Sequence, residues 1–441
     1  MIKKLLLSLV LLMPALLSAQ HNLLQSGPML GYSEMREVLL WVQTNQPAEV
    51  HFTYRDSESP EKTFSTDTVR TAEEDAFTVK LIADEVMPGK RYHYDLYING
   101  KKVDFSYPTE FQTQVLWKWR TDPPDFTVAA GSCFYVNDQP LDRPGQPYGR
   151  NFEIFDHIIA KKPDAMIWIG DNVYYREPDW NTRTGMLYRY THTRSQEYLQ
   201  PLFASTHNYA IWDDHDYGPN NSDGSWFQKE NALEVFKLFW GNLTYGFEDL
   251  PGLTSKFQWA DVDFFLLDNR YHRSANHRVT GEPTVLGEKQ IQWLIDGLKS
   301  SNAAFKIVVM GGQMLNSVPK HETYINLAPK EREYILDTIE QEAITDVIFL
   351  TGDRHITELS RLARKDGDSF WDLTVSPLTS GSWENQEDNK HRVDGTLVTE
   401  QNFALMHFKG PRKERRIEIE IYNHEGVLQW KKEIGQFKPT R

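Results

Sequence analysis

Short alternating apolar and polar runs mark the first quarter of the chain, at 38–42, 48–54, 77–81 and 91–98, the last ahead of the turn pair Asn99-Gly100. Period-two runs separated by turn residues, with no competing helical period, predict a small antiparallel β-sandwich. Beyond the Trp-rich stretch 116–124, which reads as a linker, the pattern changes. Continuous apolar runs at 126–130, 165–169, 209–212, 263–267, 306–310 and 347–350 predict buried strands. Helical spacing predicts helices over 152–159, 231–239, 286–298 and 332–342. Strand and helix alternate, so the second region is α/β. Its late runs, 372–375, 403–408 and 417–422, alternate like antiparallel strands completing a second sheet layer.

With 441 residues the chain has room for two cores. The first nineteen residues, MIKKLLLSLVLLMPALLSA, have two early lysines, an apolar run and small residues at the end. This is a Sec-type signal peptide over 1–19, its apolar run being shorter than the ~20 residues of a membrane span. The expected organisation is then a β-sandwich over 23–115 and an α/β domain over 120–435. The mature chain is expected to be exported, periplasmic or secreted, monomeric and without a membrane span. A net charge of -14 excludes a large basic surface, and with it a stable nucleic-acid partner. Cys133 is the single cysteine, so no disulfide forms within the chain.

Polar clusters follow the predicted strands directly: Gly131-Ser132-Cys133, Gly170-Asp171 with Tyr174, Asp213-Asp214-His215-Asp216, Gly311-Gly312-Gln313 and Gly352-Asp353-Arg354-His355. In an open α/β sheet the carboxyl ends of the strands form the ligand crevice, so these loops should converge. Taken singly, an Asp there could be a helix cap and a His a core residue. Together they predict a metal site, in which phenolate from Tyr174 favours a hard trivalent ion.

The order of these clusters resembles the calcineurin-like metallophosphatases, and Gly170 to Tyr174 resembles the GDxxY motif of purple acid phosphatases. The departures, Gly-Ser-Cys at Cys133, Trp212-Asp213-Asp214-His215-Asp216, Gly312-Gln313 and Gly352-Asp353-Arg354-His355, resemble the alkaline phosphatase D (PhoD-like) family, as does Leu267-Asp268-Asn269-Arg270. That resemblance implies a metallophosphatase-type β-sandwich flanked by helices, preceded by an immunoglobulin or fibronectin III-like sandwich. It implies Fe(III) with Ca(II), other divalent metals being alternatives. Cys133, Asp171, Tyr174 and His355 suit the iron; Asp171 as bridge, with Asp214, Gln313 and Asp353, suits calcium.

The expected activity is hydrolysis of phosphate monoesters or diesters by a metal-activated hydroxide. His215 is the candidate general acid, its ring oriented by Asp213 or Asp216, and Arg354, Asn221 and Arg270 are candidate substrate contacts. Loops 138–150, 177–187 and 269–284 are expected to choose the ester. The competing readings are a purple acid phosphatase-like enzyme with two transition metals and a secreted binding protein with a structural metal.

Overall fold

Strand Ala165–Ile169 is buried along its whole length, which a five-residue apolar run achieves only when both faces of its sheet are covered. The computed structural model describes residues 23–437, and the predicted signal peptide, 1–19, lies outside them. This strand sits inside a nine-stranded sheet of order 428–435, 416–423, 402–409, 126–131, 165–169, 207–211, 24–33, 38–44 and 78–83. A second, six-stranded sheet runs 255–259, 262–266, 305–310, 347–351, 369–374 and 358–363.

The two sheets pack face to face. Val128, Ala130, Ile167 and Leu405 of the first share one apolar core with Phe264, Ile307, Val309 and Leu350 of the second. Alternate residues of the second sheet, Phe265, Val308 and Phe349, point the other way. They meet Leu294 of helix Glu288–Ser300 and Ile335 of helix Pro329–Gln341. Helices Ile154–Ala160 and Lys229–Phe239 put Phe155 and Phe236 into the core of the first sheet. The result is an α/β sandwich with helices outside both sheets.

The amino-terminal region is not a separate block. Strand Val38–Thr44 sends Leu39 and Trp41 into the main core and Val38, Leu40 and Val42 into a second core. That second core is closed by Phe52, Tyr54, Tyr94 and Leu96 from a smaller sheet, so the small sandwich borrows one of its layers from the large one. Strand Leu24–Ser33 is the splice, antiparallel to 38–44 and parallel to 207–211. The sequence gives no hint of this strand because Gly27, Pro28 and Gly31 interrupt its pattern, and its pairing is bulged. Gly31 is obligatory there: a Cβ would lie 2.7 Å from the Gly241 carbonyl oxygen.

Every predicted strand and helix is present, with shifted ends. Helix Arg183–Arg194 was not predicted; Thr182 caps it, its side chain accepting from the Gly185 N–H. Its mean pattern is polar because it carries buried Arg189 and Arg194.

Candidate metal centre

The loops after strands 126–131, 165–169, 207–211 and 347–351 do converge. Cys133, Asp171, Asp353 and His355 all hold left-handed backbone, with φ of 59°, 53°, 67° and 53°. Non-glycine residues rarely adopt that region, and such strain persists only where surrounding structure imposes it, commonly at functional sites. Here it goes with three ligand side chains, those of Cys133, Asp171 and His355, gathered at one point and Asp353 in a neighbouring acid group.

Cys133, Asp171 and His355 each offer a ligand atom within 4.8 Å of the others, and Asp171, Asp214 and His215 form a second such group. Asp171 belongs to both. Its Oδ2 accepts from the Tyr174 hydroxyl at 3.1 Å and lies 3.7 Å from the Cys133 sulfur, while Oδ1 accepts from the His215 N–H at 3.2 Å. The Ser376 hydroxyl donates to the Cys133 sulfur at 3.1 Å, a contact that supports a thiolate. His355 Nδ1 lies 2.6 Å from the Gly381 carbonyl, so that nitrogen carries the proton and Nε2, 3.5 Å from the Tyr174 oxygen, is left to bind.

A third group holds Asp213, Asp214, Glu322 and Asp353. Asn221 donates its N–H to Asp214 Oδ2 at 2.5 Å, and Asp213 Oδ1 accepts from Asn269 at 2.7 Å. Burial, reinforced by neighbouring carboxylates, pushes Asp171 and Asp353 well above the usual carboxylate range. Burial likewise raises Asp213 to about 6, against the pull of Arg270. Asp214 is the exception: burial raises it, but His215, Arg270 and the Asn221 N–H together hold it low. Burial and the Asp171 charge raise the Cys133 thiol and the Tyr174 phenol.

Acids this crowded are short of positive charge, and three buried atoms there, Asp213 Oδ2, Asp214 Oδ1 and His215 Nδ1, have no hydrogen-bond partner, although Arg270 stands 3.8 Å from Asp214 Oδ1. Unsatisfied buried acceptors are costly and rare. The donor set therefore fits cations: a thiolate, a phenolate, an imidazole and a carboxylate on one side, and oxygen donors on the other.

Several expected roles change. Gln313 does not join the acid group. Its amide oxygen accepts from Arg354 at 2.7 Å and Asn316 at 2.8 Å, and its nitrogen donates to Glu358 and Thr374. Glu322 lies in that acid group, its oxygens paired with Arg270 and Arg273; nothing marks this residue in sequence, since it follows no predicted strand. Arg270 is fully buried and paired with Asp213 and Glu322 instead of facing the pocket. Arg354 reaches the pocket wall, but its guanidinium is held by both oxygens of Glu387 at 2.9 Å. Asp216 accepts from the backbone N–H groups of Asp213 and Asn172, and Asp213 from Asn269 and Arg270, so neither orients the His215 ring. That ring instead packs on Tyr174, with centroids 4.2 Å apart.

These side chains floor a pocket of about 790 Å³ that includes Asp171, Tyr174, Asp214, His215, Asn221, Asp353 and His355. Its walls come from Arg143 and Tyr148 and from Arg273 to Thr284, two of the three expected loops. The 177–187 segment contributes nothing to the wall; Asp179 there is bound to buried Arg189 at 2.8 Å.

Facing sheets that deliver such a cluster to their strand ends make a metallophosphatase-type fold. Over 95% of this chain and 93% of the other, the fold matches a solved structure of PhoD with a TM-score of 0.75 at 16% identity. It matches purple acid phosphatase PPD1 of yellow lupin (Lupinus luteus) with a TM-score of 0.68 at 11% identity, over 93% of this chain and 74% of that one. Residues 248–425 match the PhoD-like phosphatase family, and residues 21–116 match a domain of unknown function, DUF7800. Alkaline phosphatase D of Bacillus subtilis is 24% identical over 340 residues, 65% of this chain and 54% of that protein. The chain thus spans about half the length of this curated relative. It carries a PhoD-like phosphatase domain and is a homologue of alkaline phosphatase D. The family segment supplies Glu322, Asp353 and His355, whereas Cys133, Asp171, Tyr174 and Asp214 lie before it.

Proposed function

We propose that this protein is an exported phosphoric ester hydrolase that acts on phosphate monoesters, diesters or both. The observation that carries the reading is the double membership of Asp171, one carboxylate shared by the group with Cys133 and His355 and by the group with Asp214 and His215, Asp214 belonging in turn to the acid group. Cys133, Asp171, Tyr174 and His355 would hold Fe(III), and Asp171 with Asp214, Asp353 and Glu322 would hold Ca(II), Glu322 replacing Gln313. Bound there, the cations supply Lewis acidity, acidifying water and offsetting charge on the phosphoryl oxygens.

The chain's own groups do the rest. His215 faces the pocket, and burial lowers its pKa against the pull of Asp214, so its neutral form is favoured. As the general acid it would be protonated before the step and would give that proton to the leaving oxygen. Asn221 orients Asp214 through its N–H. Arg143 and Arg278 at the wall have no carboxylate within 4.0 Å among the described residues, which suits them to draw an anionic ester inward. In this reading the amino-terminal region is a fibronectin III-like sandwich that shares a layer with the large sheet, and 1–19 would be the signal for export.

Metal analysis of the purified mature protein, with matched monoester and diester turnover, tests this reading. Iron plus calcium is the expected content, with a visible charge-transfer band that Tyr174→Phe abolishes. Two transition metals without calcium would favour the purple acid phosphatase-like alternative, and metals without hydrolysis of either ester would favour a binding protein.

A further inference from the structure

Trp119 is 81% exposed and holds φ of 62°, a left-handed conformation that is a true outlier for so bulky a residue. It sits in the Trp117-Lys118-Trp119-Arg120 turn, where the Arg120 N–H donates to the Trp117 carbonyl at 2.9 Å. Leu116 beside it is 45% exposed. The stretch that sequence reading treats as a linker is thus a fixed turn that presents an indole to solvent.

A second segment docks on this turn. The Arg412 N–H donates to Asp122 at 3.2 Å, its guanidinium donates to the Thr121 carbonyl at 2.8 Å, and that guanidinium stands 5.4 Å from the Trp117 ring. Lys118 lies 5.0 Å from the Trp119 ring. The charged side-chain groups of exposed Lys118, Arg120, Arg412 and the next residue, Lys413, have no carboxylate within 4.0 Å among the described residues. By contrast, neighbouring Arg415 and Arg416 are paired, with Asp125 and Asp261 and with Glu433. On a chain of net charge -14, these two segments bring four cations and only two acids, Asp122 and Glu414, around two tryptophans, a local excess of positive charge.

We infer that this patch docks the protein on an anionic lipid surface. Charge complementarity selects the occupant: an acidic protein is repelled by an anionic bilayer everywhere except at such a patch. Indole and leucine enter the interfacial layer while lysine and arginine meet the headgroups. A cleft of about 180 Å³ between Trp117, Trp119 and Arg412 offers room for a headgroup. Asp261 and Ala304, which line that cleft, directly precede strands Val262–Leu266 and Phe305–Met310. The candidate metal centre lies beyond the opposite, carboxyl ends of the parallel strands. A docked molecule would therefore hold its pocket away from the bilayer and open to soluble esters.

Co-sedimentation of the mature protein with phosphatidylcholine vesicles, with and without phosphatidylglycerol, tests the inference. Binding is expected only to the anionic vesicles, with a blue shift of tryptophan emission and loss at high salt. Lys118→Glu with Arg120→Glu should weaken it by at least about fivefold per charge, and Trp119→Ala by about tenfold. Hydrolysis of a soluble ester should be unchanged in these variants, which checks that they fold, and is independent of the vesicle result. Equal binding to both vesicle types, no binding at low salt, or full binding by the charge-reversed variant would overturn the inference. So would capture by a soluble polyanion, such as heparin, without capture by vesicles.

Discussion

Polar residues begin strand His207–Ile211 and follow just past its end, and the two ends treat them in opposite ways. At its start, His207 Nδ1 donates to the Gly31 carbonyl at 2.9 Å and Nε2 accepts the Gln112 N–H at 3.3 Å. Asn208 beside it donates to the Leu30 and Thr206 carbonyls and accepts from the Trp168 indole at 2.9 Å. Just past its other end, Asp213, Asp214 and His215 each keep a buried polar atom with no partner. Buried polar groups that the chain satisfies by itself are structural. Those it leaves open, among like charges, are completed by something bound. Sign and satisfaction, not burial, separate the two ends.

The strongest test is to remove the carboxylate shared by both metal-binding groups. Asp171→Asn should lower turnover by on the order of 10³-fold, the scale of losing one preorganised electrostatic group, and should strip bound metal. The metal-free variant should be no less stable than the metal-free wild type in urea, because one of several crowded charges has gone. A marked loss of stability in that comparison would make Asp171 structural, and the contrast between the strand ends would fail.

The next effect belongs to the satisfied end. Burial lowers His207 to about 4 from its ordinary 6.5, so the folded protein holds it neutral where the unfolded chain would already be charged. The neutral ring is the stabilising form: its contribution is complete above 6.5 and is lost as pH falls through 6.5 toward 4. The loss should reach about 3 kcal/mol by pH 4. Urea unfolding at a series of pH values should show this slope, and His207→Gln should flatten it. An unchanged slope in the variant would place the titration elsewhere.

Much of this contrast was legible from residue order. Apolar runs ending in Gly-Asp or Gly-Ser-Cys located the strand ends, and the convergence of Cys133, Asp171, Tyr174, Asp214, Asp353 and His355 followed from the rule that crevices form at carboxyl ends. What residue order could not carry was surroundings. Gln313 and Glu322 are both polar loop residues, and only the fold shows that Arg354 and Asn316 occupy the first while the second, paired with Arg270 and Arg273, lies among the aspartates. Arg270 follows a strand, as a substrate contact would, but is drawn inward by Asp213 and Glu322. The splice at Leu24–Ser33 was hidden for another reason: its parallel partner 207–211 lies far along the chain, and Gly31 is there for close approach to Gly241, not for turning.

The smallest effect separates the strand ends without any metal. Asn208→Ala would leave the Trp168 indole N–H and the Leu30 and Thr206 carbonyls without their side-chain partner. Stranding buried donors and acceptors in this way costs about 2 kcal/mol, read as a lower urea midpoint at constant slope. Turnover per folded molecule and metal content should stay at wild-type levels, because the side chain acts on the sheet and not on the pocket. Asp171→Asn and Asn208→Ala are then mirror images, one losing turnover at constant stability and the other stability at constant turnover. A fall in metal content in Asn208→Ala would show instead that the start of the strand positions its end, and that the sheet between them transmits strain into the site.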